Sequence, residues 1–88
     1  MSHDSGLNNQ LRQMIVERLF LSIAASEVKD DADLMQTYGI DSVNLFEIIV
    51  GLEDEFGIIV EDEDFSVEAF ATVSSIAELV RRKRGEST

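Results

Sequence analysis

The sequence predicts an all-α fold: a small four-helix bundle of three principal helices and one short one, with a long first loop. Three observations predict it. Apolar residues recur at helical spacing in three separate stretches. Strict apolar–polar alternation, the mark of half-buried strands, is missing, and the best strand candidate, Gly57-Ile58-Ile59-Val60, is one short run without a partner. Proline is absent, so nothing forces a break inside the helical stretches.

The first helix is expected from about Leu7 to Ala24, with Leu7, Leu11, Met14, Ile15, Leu19 and Ile23 as its stripe. The stretch from Ala25 to Ile40 has no long period and reads as a loop, pinned to the core by Leu34, Met35, Tyr38 and Ile40. Asp41 precedes a second helix that reaches Phe56, where Leu45, Ile48, Ile49, Leu52 and Phe56 fall at offsets 0, 3, 4, 7 and 11 and mark the core face. The short helix is expected at Ser66 to Ala71, with Ser66 as its cap and Val67 and Phe70 on one face. The last helix is expected from Ser74 to Arg84, with Val73, Ile76, Ala77 and Val80 inward. Its closing cations and Gly85 form a stop signal.

The 88 residues predict one domain over 1–88, with 1–6 and 85–88 as flexible tails. With no Cys, packing alone must hold it, and 44% apolar residues make that feasible. No apolar run approaches the roughly 20 residues that span a bilayer, and Met1 to Asn9 holds no Lys or Arg of the kind a signal peptide carries. A cytoplasmic protein without membrane insertion is expected. Charge is the strongest global signal: 18 acids against 7 bases give −11, and no Lys or Arg lies between Asp30 and Val80. Such a surface repels nucleic acid and attracts basic partner surfaces. The same repulsion favours a monomer.

The string with chemical content is Gly39-Ile40-Asp41-Ser42-Val43. Either Asp41 or Ser42 suits the N-cap of the second helix. If Asp41 caps, Ser42 takes the first helical position with its hydroxyl free, where exposed N–H groups and the helix dipole favour a phosphate. If Ser42 caps, it is merely a cap. The same helix carries a second apolar row, Val43, Phe46 and Val50, flanked by Glu47, Glu53 and Asp54. That row is either buried or a surface for transient docking to basic partners.

These residues resemble the Gly-x-Asp-Ser-Leu signature of the acyl carrier protein family. Glu47 matches an acid five positions after the attachment serine, Leu52-Glu53-Asp54-Glu55-Phe56 resembles the family's Leu-Glu-Glu-Glu-Phe, and Thr72-Val73 resembles its Thr-Val before the last helix. The resemblance runs in order from about Leu11 to Val80. It implies a carrier and not an enzyme. In that reading a holo-synthase attaches 4′-phosphopantetheine from coenzyme A to Ser42, next to Asp41, and the arm carries acyl groups as thioesters. Val43, Phe46, Glu47, Val50, Glu53 and Asp54 would meet the acyl-processing enzymes of fatty-acid or specialised lipid and polyketide synthesis, through their basic docking surfaces. Leu45, Ile49, Val60 and Phe70 would line an acyl pocket. The only His, His3, sits in a polar stretch, and no nucleophile–base pair is evident.

Some residues depart from the family pattern. Asn44 stands where many members have an acid, and Gly51 stands where Ala is common, costing about 1 kcal/mol of helix propensity. Glu61 replaces a frequent Pro, the segments around 25–33 and 65–70 are longer than in common fatty-acid carriers, and the basic run Arg81 to Arg84 is unusual. Three rival readings stand beside the main one. An aminoacyl or peptidyl carrier usually shows Gly-Gly before its Asp-Ser or His-Ser, and Ile40 argues against it. Calcium binding at Glu61-Asp62-Glu63-Asp64 lacks the EF-hand spacing, so no metal site is expected. A helical interaction domain with unmodified Ser42 is the third. Self-repulsion at −11 should weaken the fold where screening is poorest, so the melting temperature should rise from low to moderate salt. A thermal melt across salt concentrations checks this, and a flat or falling trend would refute it.

Overall fold

A computed structural model describes residues 3–85, with side chains from residue 6 onward. Among the described residues there are four α-helices, two single 3₁₀ turns and no strand: α1 His3–Leu19, α2 Leu34–Tyr38, α3 Ser42–Phe56 and α4 Val73–Lys83, with 3₁₀ turns at Ala25–Glu27 and Asp62–Asp64. The all-α expectation holds. Helix α1 packs against both α3 and α4. Between them lies one core, filled by Leu11, Ile15, Leu34, Ile48, Leu52, Phe70, Val73, Ile76, Leu79 and Val80. The radius of gyration is 12.0 Å, and a compact chain of this length should have about 12 Å.

The short helix is not where the sequence placed it. It is α2, inside the expected loop. Asp33 caps it by accepting a hydrogen bond from the Gln36 N–H at 2.9 Å, and Gly39 closes it with φ 68°. The whole connection is stitched down. The Leu34 N–H donates to the Ala71 carbonyl at 2.8 Å and the Ser74 N–H to the Asp30 carbonyl at 2.9 Å. Asp30 also accepts from Asn8 and Arg12. Leu34 and Ile40 are buried and Met35 and Tyr38 half-buried against the core, so the four expected anchors all hold the segment.

Residues 66–71 form a hydrogen-bonded turn and not the expected helix. Ser66 Oγ does accept from the Ala69 N–H at 3.0 Å. Phe70 is buried while Val67 is exposed, so the two do not share a buried face. Helix α4 opens one residue earlier than expected through a reciprocal cap. Thr72 Oγ1 accepts from the Ser75 N–H at 3.0 Å, and Ser75 Oγ accepts from the Thr72 N–H at 3.1 Å. Residues 3–6, expected in a flexible tail, belong to the first turns of α1. Gly85, expected as the start of the other tail, donates its N–H to the Arg82 carbonyl at 3.1 Å, and residues 1–2 and 86–88 lie outside the described residues.

Helix α1 stops at Leu19, five residues before the expected end. Phe20 takes a left-handed conformation, φ 54°, and the Leu21 N–H reaches back to the Val16 carbonyl at 3.0 Å. That is a Schellman closure with Phe20 in the position glycine usually fills. Leu21 and Val16 both pack against the core, while the Phe20 side chain is 90% exposed. A non-glycine residue in this conformation costs about 1–2 kcal/mol, and glycine costs about 0.5–1 kcal/mol of extra chain entropy. Phe20→Gly should therefore stabilise the fold by several tenths of a kcal/mol to about 1 kcal/mol. In a chain of this size that raises the melting temperature by a few degrees, roughly 2–8 °C. Thermal unfolding of the two proteins checks it, and a lower melting temperature in the variant would refute the strained closure.

Candidate attachment site and docking face

Asp41, not Ser42, is the N-cap of α3. Its carboxylate Oδ1 accepts from the Asn44 N–H at 2.9 Å, and Asn44 Oδ1 accepts from the Asp41 N–H at 3.2 Å. The first intrahelical bond runs from the Leu45 N–H to the Asp41 carbonyl at 3.0 Å. Asn44 thus has a local use that its departure from the family pattern did not reveal. Upstream, Ile40 is buried and the chain turns at Gly39, which anchors the approach to the helix. Ser42 occupies the first helical position, exposed, with no capping duty. The first N–H groups of a helix lack intrahelical acceptors and carry the positive end of its dipole. A phosphodiester on Ser42 fits this place, and the neutral Asn44 adds no negative charge beside it.

The second apolar row of α3 is not core. Val43, Phe46 and Val50 are 75%, 63% and 51% exposed. The opposite stripe, Leu45, Ile48 and Leu52, is buried, with Ile49 and Phe56 half-buried.

The acids flanking the row are tied down within the chain. The Arg18 guanidinium, reaching over from α1, places Nη1 3.0 Å from Glu47 Oε2, Nη2 3.0 Å from Asp54 Oδ2 and Nε 2.9 Å from Glu55 Oε2. Hydrogen bonds to Glu55 and then Glu47 push the Arg18 pKa further above its ordinary value. Glu53 accepts from the Val60 N–H at 3.0 Å. Gly51 makes the Arg18 arrangement possible, since a Cβ there would come within 2.7 Å of Arg18 Cδ and Nε and of Met14 Sδ. Sequence reasoning missed Arg18 altogether. Its one signal was Gly51, read only as a propensity cost.

Behind the row lies an open, apolar hollow of about 420 Å³, lined by Phe46, Ile49, Val60, Glu61, Asp62 and Phe65. Of the residues named for an acyl pocket, Ile49 and Val60 line it, whereas Leu45 and Phe70 are buried in the core beyond it. Phe65 joins the two zones. Its ring stacks on Phe46 at 6.2 Å between centroids and meets Phe70 at 5.4 Å. The 3₁₀ turn beside the hollow is held to α4 by Lys83 Nζ, 2.8 Å from Asp64 Oδ2. The pair lowers the Asp64 pKa and raises that of Lys83. Asp64 Oδ2 also accepts from the Glu61 N–H at 3.0 Å, so the acidic turn is organised by its own hydrogen bonds and a cation. Among the described residues no group of three or more His, Cys, Asp or Glu is placed to hold a metal ion. Within the same residues, no helix is long and apolar enough to cross a membrane.

The family model described as the phosphopantetheine attachment site matches residues 9–80. The acyl carrier protein of Solidesulfovibrio magneticus is 32% identical over 77 residues, 88% of this chain and 94% of that one. The acyl carrier protein of Nitratidesulfovibrio vulgaris is 33% identical over 58 residues, 66% of this chain and 74% of that one. Among solved structures, the holo acyl carrier protein of Nitrosomonas europaea superposes with a TM-score of 0.79 at 24% identity, covering 97% of this chain and 99% of that one. KstB-PCP in its apo form superposes with 0.74 at 31% identity, covering 91% and 88%. The chain belongs to the acyl carrier protein family, carriers rather than enzymes, which bear covalently attached 4′-phosphopantetheine.

Proposed function

We propose that Ser42 is the attachment point of the arm and that the chain delivers acyl thioesters to enzymes of fatty-acid or specialised lipid and polyketide synthesis, as a cytoplasmic monomer. The observation that carries the reading is the cap. Asp41 takes the capping bonds of α3, so the Ser42 hydroxyl is left exposed at the positive end of a 15-residue helix. In the loading reaction, Ser42 Oγ forms a bond to the phosphorus that bears the pantetheine arm of coenzyme A. The diphosphate P–O bond breaks, adenosine 3′,5′-bisphosphate leaves, and the hydroxyl proton passes to a base of the holo-synthase. The arm supplies a terminal thiol for thioester formation. This chain's residues hold the hydroxyl in place and offer the docking face: Val43, Phe46, Glu47, Val50, Glu53 and Asp54. Ile40 favours the acyl over the aminoacyl or peptidyl type, because its buried side chain fills a place that the Gly of a Gly-Gly pair would leave empty.

Intact mass before and after incubation with coenzyme A, magnesium and a broad-specificity holo-synthase tests the attachment. The native chain should gain one phosphopantetheine, and Ser42→Ala should gain none. A gain on the mutant would put the arm elsewhere, and no gain on either would favour an unmodified interaction domain.

The hollow behind Phe46 suits the acyl cargo. Ile49 and Val60 are its walls, Leu45 and Phe70 the core beneath, and Phe65 the side chain that has to move for deeper entry. Acylation of the arm should therefore shift the amide and methyl resonances of Ile49 and Val60 together with those of Phe65. An acyl form whose spectrum changes only around Ser42 would refute a cargo in this hollow.

A further inference from the structure

Helix α3 has four acidic side chains, Glu47, Glu53, Asp54 and Glu55, and three of them converge on the single guanidinium of Arg18. The fourth accepts from the Val60 N–H. The contact is built into the packing. The Arg18 side chain is 22% exposed, and its stem lies over Gly51, where any Cβ would come within 2.7 Å of it. Each of its three donor nitrogens meets a different carboxylate at 2.9 to 3.0 Å. A docking enzyme therefore meets three carboxylates that already share one cation. Beside them lies an apolar row, Val43, Phe46 and Val50, that is more than half exposed.

We propose that Arg18 is an internal stand-in for the cationic side chains of partner enzymes, and that it makes this carrier select partners by the apolar row of α3 rather than by charge. The inference rests on the reading that α3 is the docking face. Its occupant is an enzyme surface with Lys or Arg around an apolar patch, which the chain's −11 charge draws in from a distance. At contact, that enzyme's cation competes with Arg18 for the same carboxylates, so part of what each new ion pair gains is offset by the pair it weakens. The apolar row supplies the remaining affinity. A carrier with the same acids and no Arg18 would offer them outright and would bind basic surfaces with less discrimination.

The test compares the rate of phosphopantetheine transfer by a broad-specificity holo-synthase on the native chain, Arg18→Gln and Gly51→Ala, at low and high salt. Arg18→Gln frees three carboxylates and should raise kcat/KM at low salt by about 3–10-fold, through KM, with a steeper decline as salt is added. Gly51→Ala crowds the Arg18 stem without changing charge and should move in the same direction by less. Equal or lower kcat/KM in Arg18→Gln, with an unchanged salt slope, would overturn the proposal. Should Arg18→Gln melt below the assay temperature, the native protein decides. Its Arg18 Nε–Hε resonance should move toward that of a free arginine as holo-synthase is titrated in without coenzyme A, and a resonance that stays in place overturns the exchange. A native chain that takes up no phosphopantetheine overturns the attachment reading and this inference together, whereas a native chain that loads normally beside an unaccelerated Arg18→Gln overturns this inference alone.

Discussion

The two hydrogen bonds exchanged between Asp41 and Asn44 set where α3 begins, and the candidate site depends on that start. A helix advances about 100° per residue, so the apolar spacing decides which side of α3 faces the core, and the cap decides which residue stands at its head. With Asp41 as the cap, Leu45, Ile48 and Leu52 enter the core while Val43, Phe46 and Val50 stay out. The same start leaves Ser42 at the first helical position with its hydroxyl unspent. The place of the proposed attachment residue thus follows from the cap, while the exposed row and the core stripe follow from the spacing of apolar residues along the same helix. Gly39, with φ 68°, and buried Ile40 deliver the chain to that cap from α2, which explains why a five-residue helix is worth building inside what the sequence presents as a loop.

The ion pairs run across elements rather than within them. The long middle segment from Asp30 to Val80 has no cation of its own, and five of its acids, Asp30, Glu47, Asp54, Glu55 and Asp64, meet cations from other elements. Arg12 and Arg18 reach in from α1 to Asp30 and to the acids of α3, and Lys83 reaches in from α4 to Asp64. Arg84 lies over the Phe56 ring at 5.4 Å. Each of these contacts bridges segments far apart in sequence, so they hold helices to connections as well as neutralising charge. Exposed pairs of this kind contribute little individually. Their larger effect here is positional, because they fix which acids face a partner with a cation already beside them.

Much of this was legible in the sequence. Apolar spacing placed α1, α3 and α4 because a period of 3.6 residues is a property of composition along the chain. The four anchors of the first connection, Leu34, Met35, Tyr38 and Ile40, were found because isolated apolar residues in a polar stretch have few other uses. What escaped has a physical cause in each case. Helix α2 is too short to show a period, and its evidence is the pair Asp33 and Gly39, a cap and a left-handed closure whose meaning depends on φ. The end of α1 is closed by Phe20 in a conformation that phenylalanine rarely takes, so no residue type there signals a stop. At 66–71 the capping serine was right, but Val67 points outward, and a single turn is too short for an apolar pair to define a face. Arg18 and Gly51 sit on different helices, and only their crossing joins them; a glycine in mid-helix could mean close approach, but the sequence does not say of what.

Phe46 links the two activities that the proposed reading assigns to α3. Its ring is 63% exposed in the row available to partners, and it also walls the hollow and stacks on Phe65. Because the Phe46 ring stacks on Phe65, any shift of one ring changes its contact with the other. An enzyme that covers Phe46 thereby bears on the Phe46–Phe65 stack, and a cargo that parts the stack alters the surface that enzyme meets. The acids held by Arg18 do not share this property, since they lie away from the hollow's lining. On the proposed reading, discrimination by the apolar row would therefore depend on what the hollow holds and discrimination by charge would not, which gives a carrier whose acids already share a cation a physical reason to rely on its apolar row.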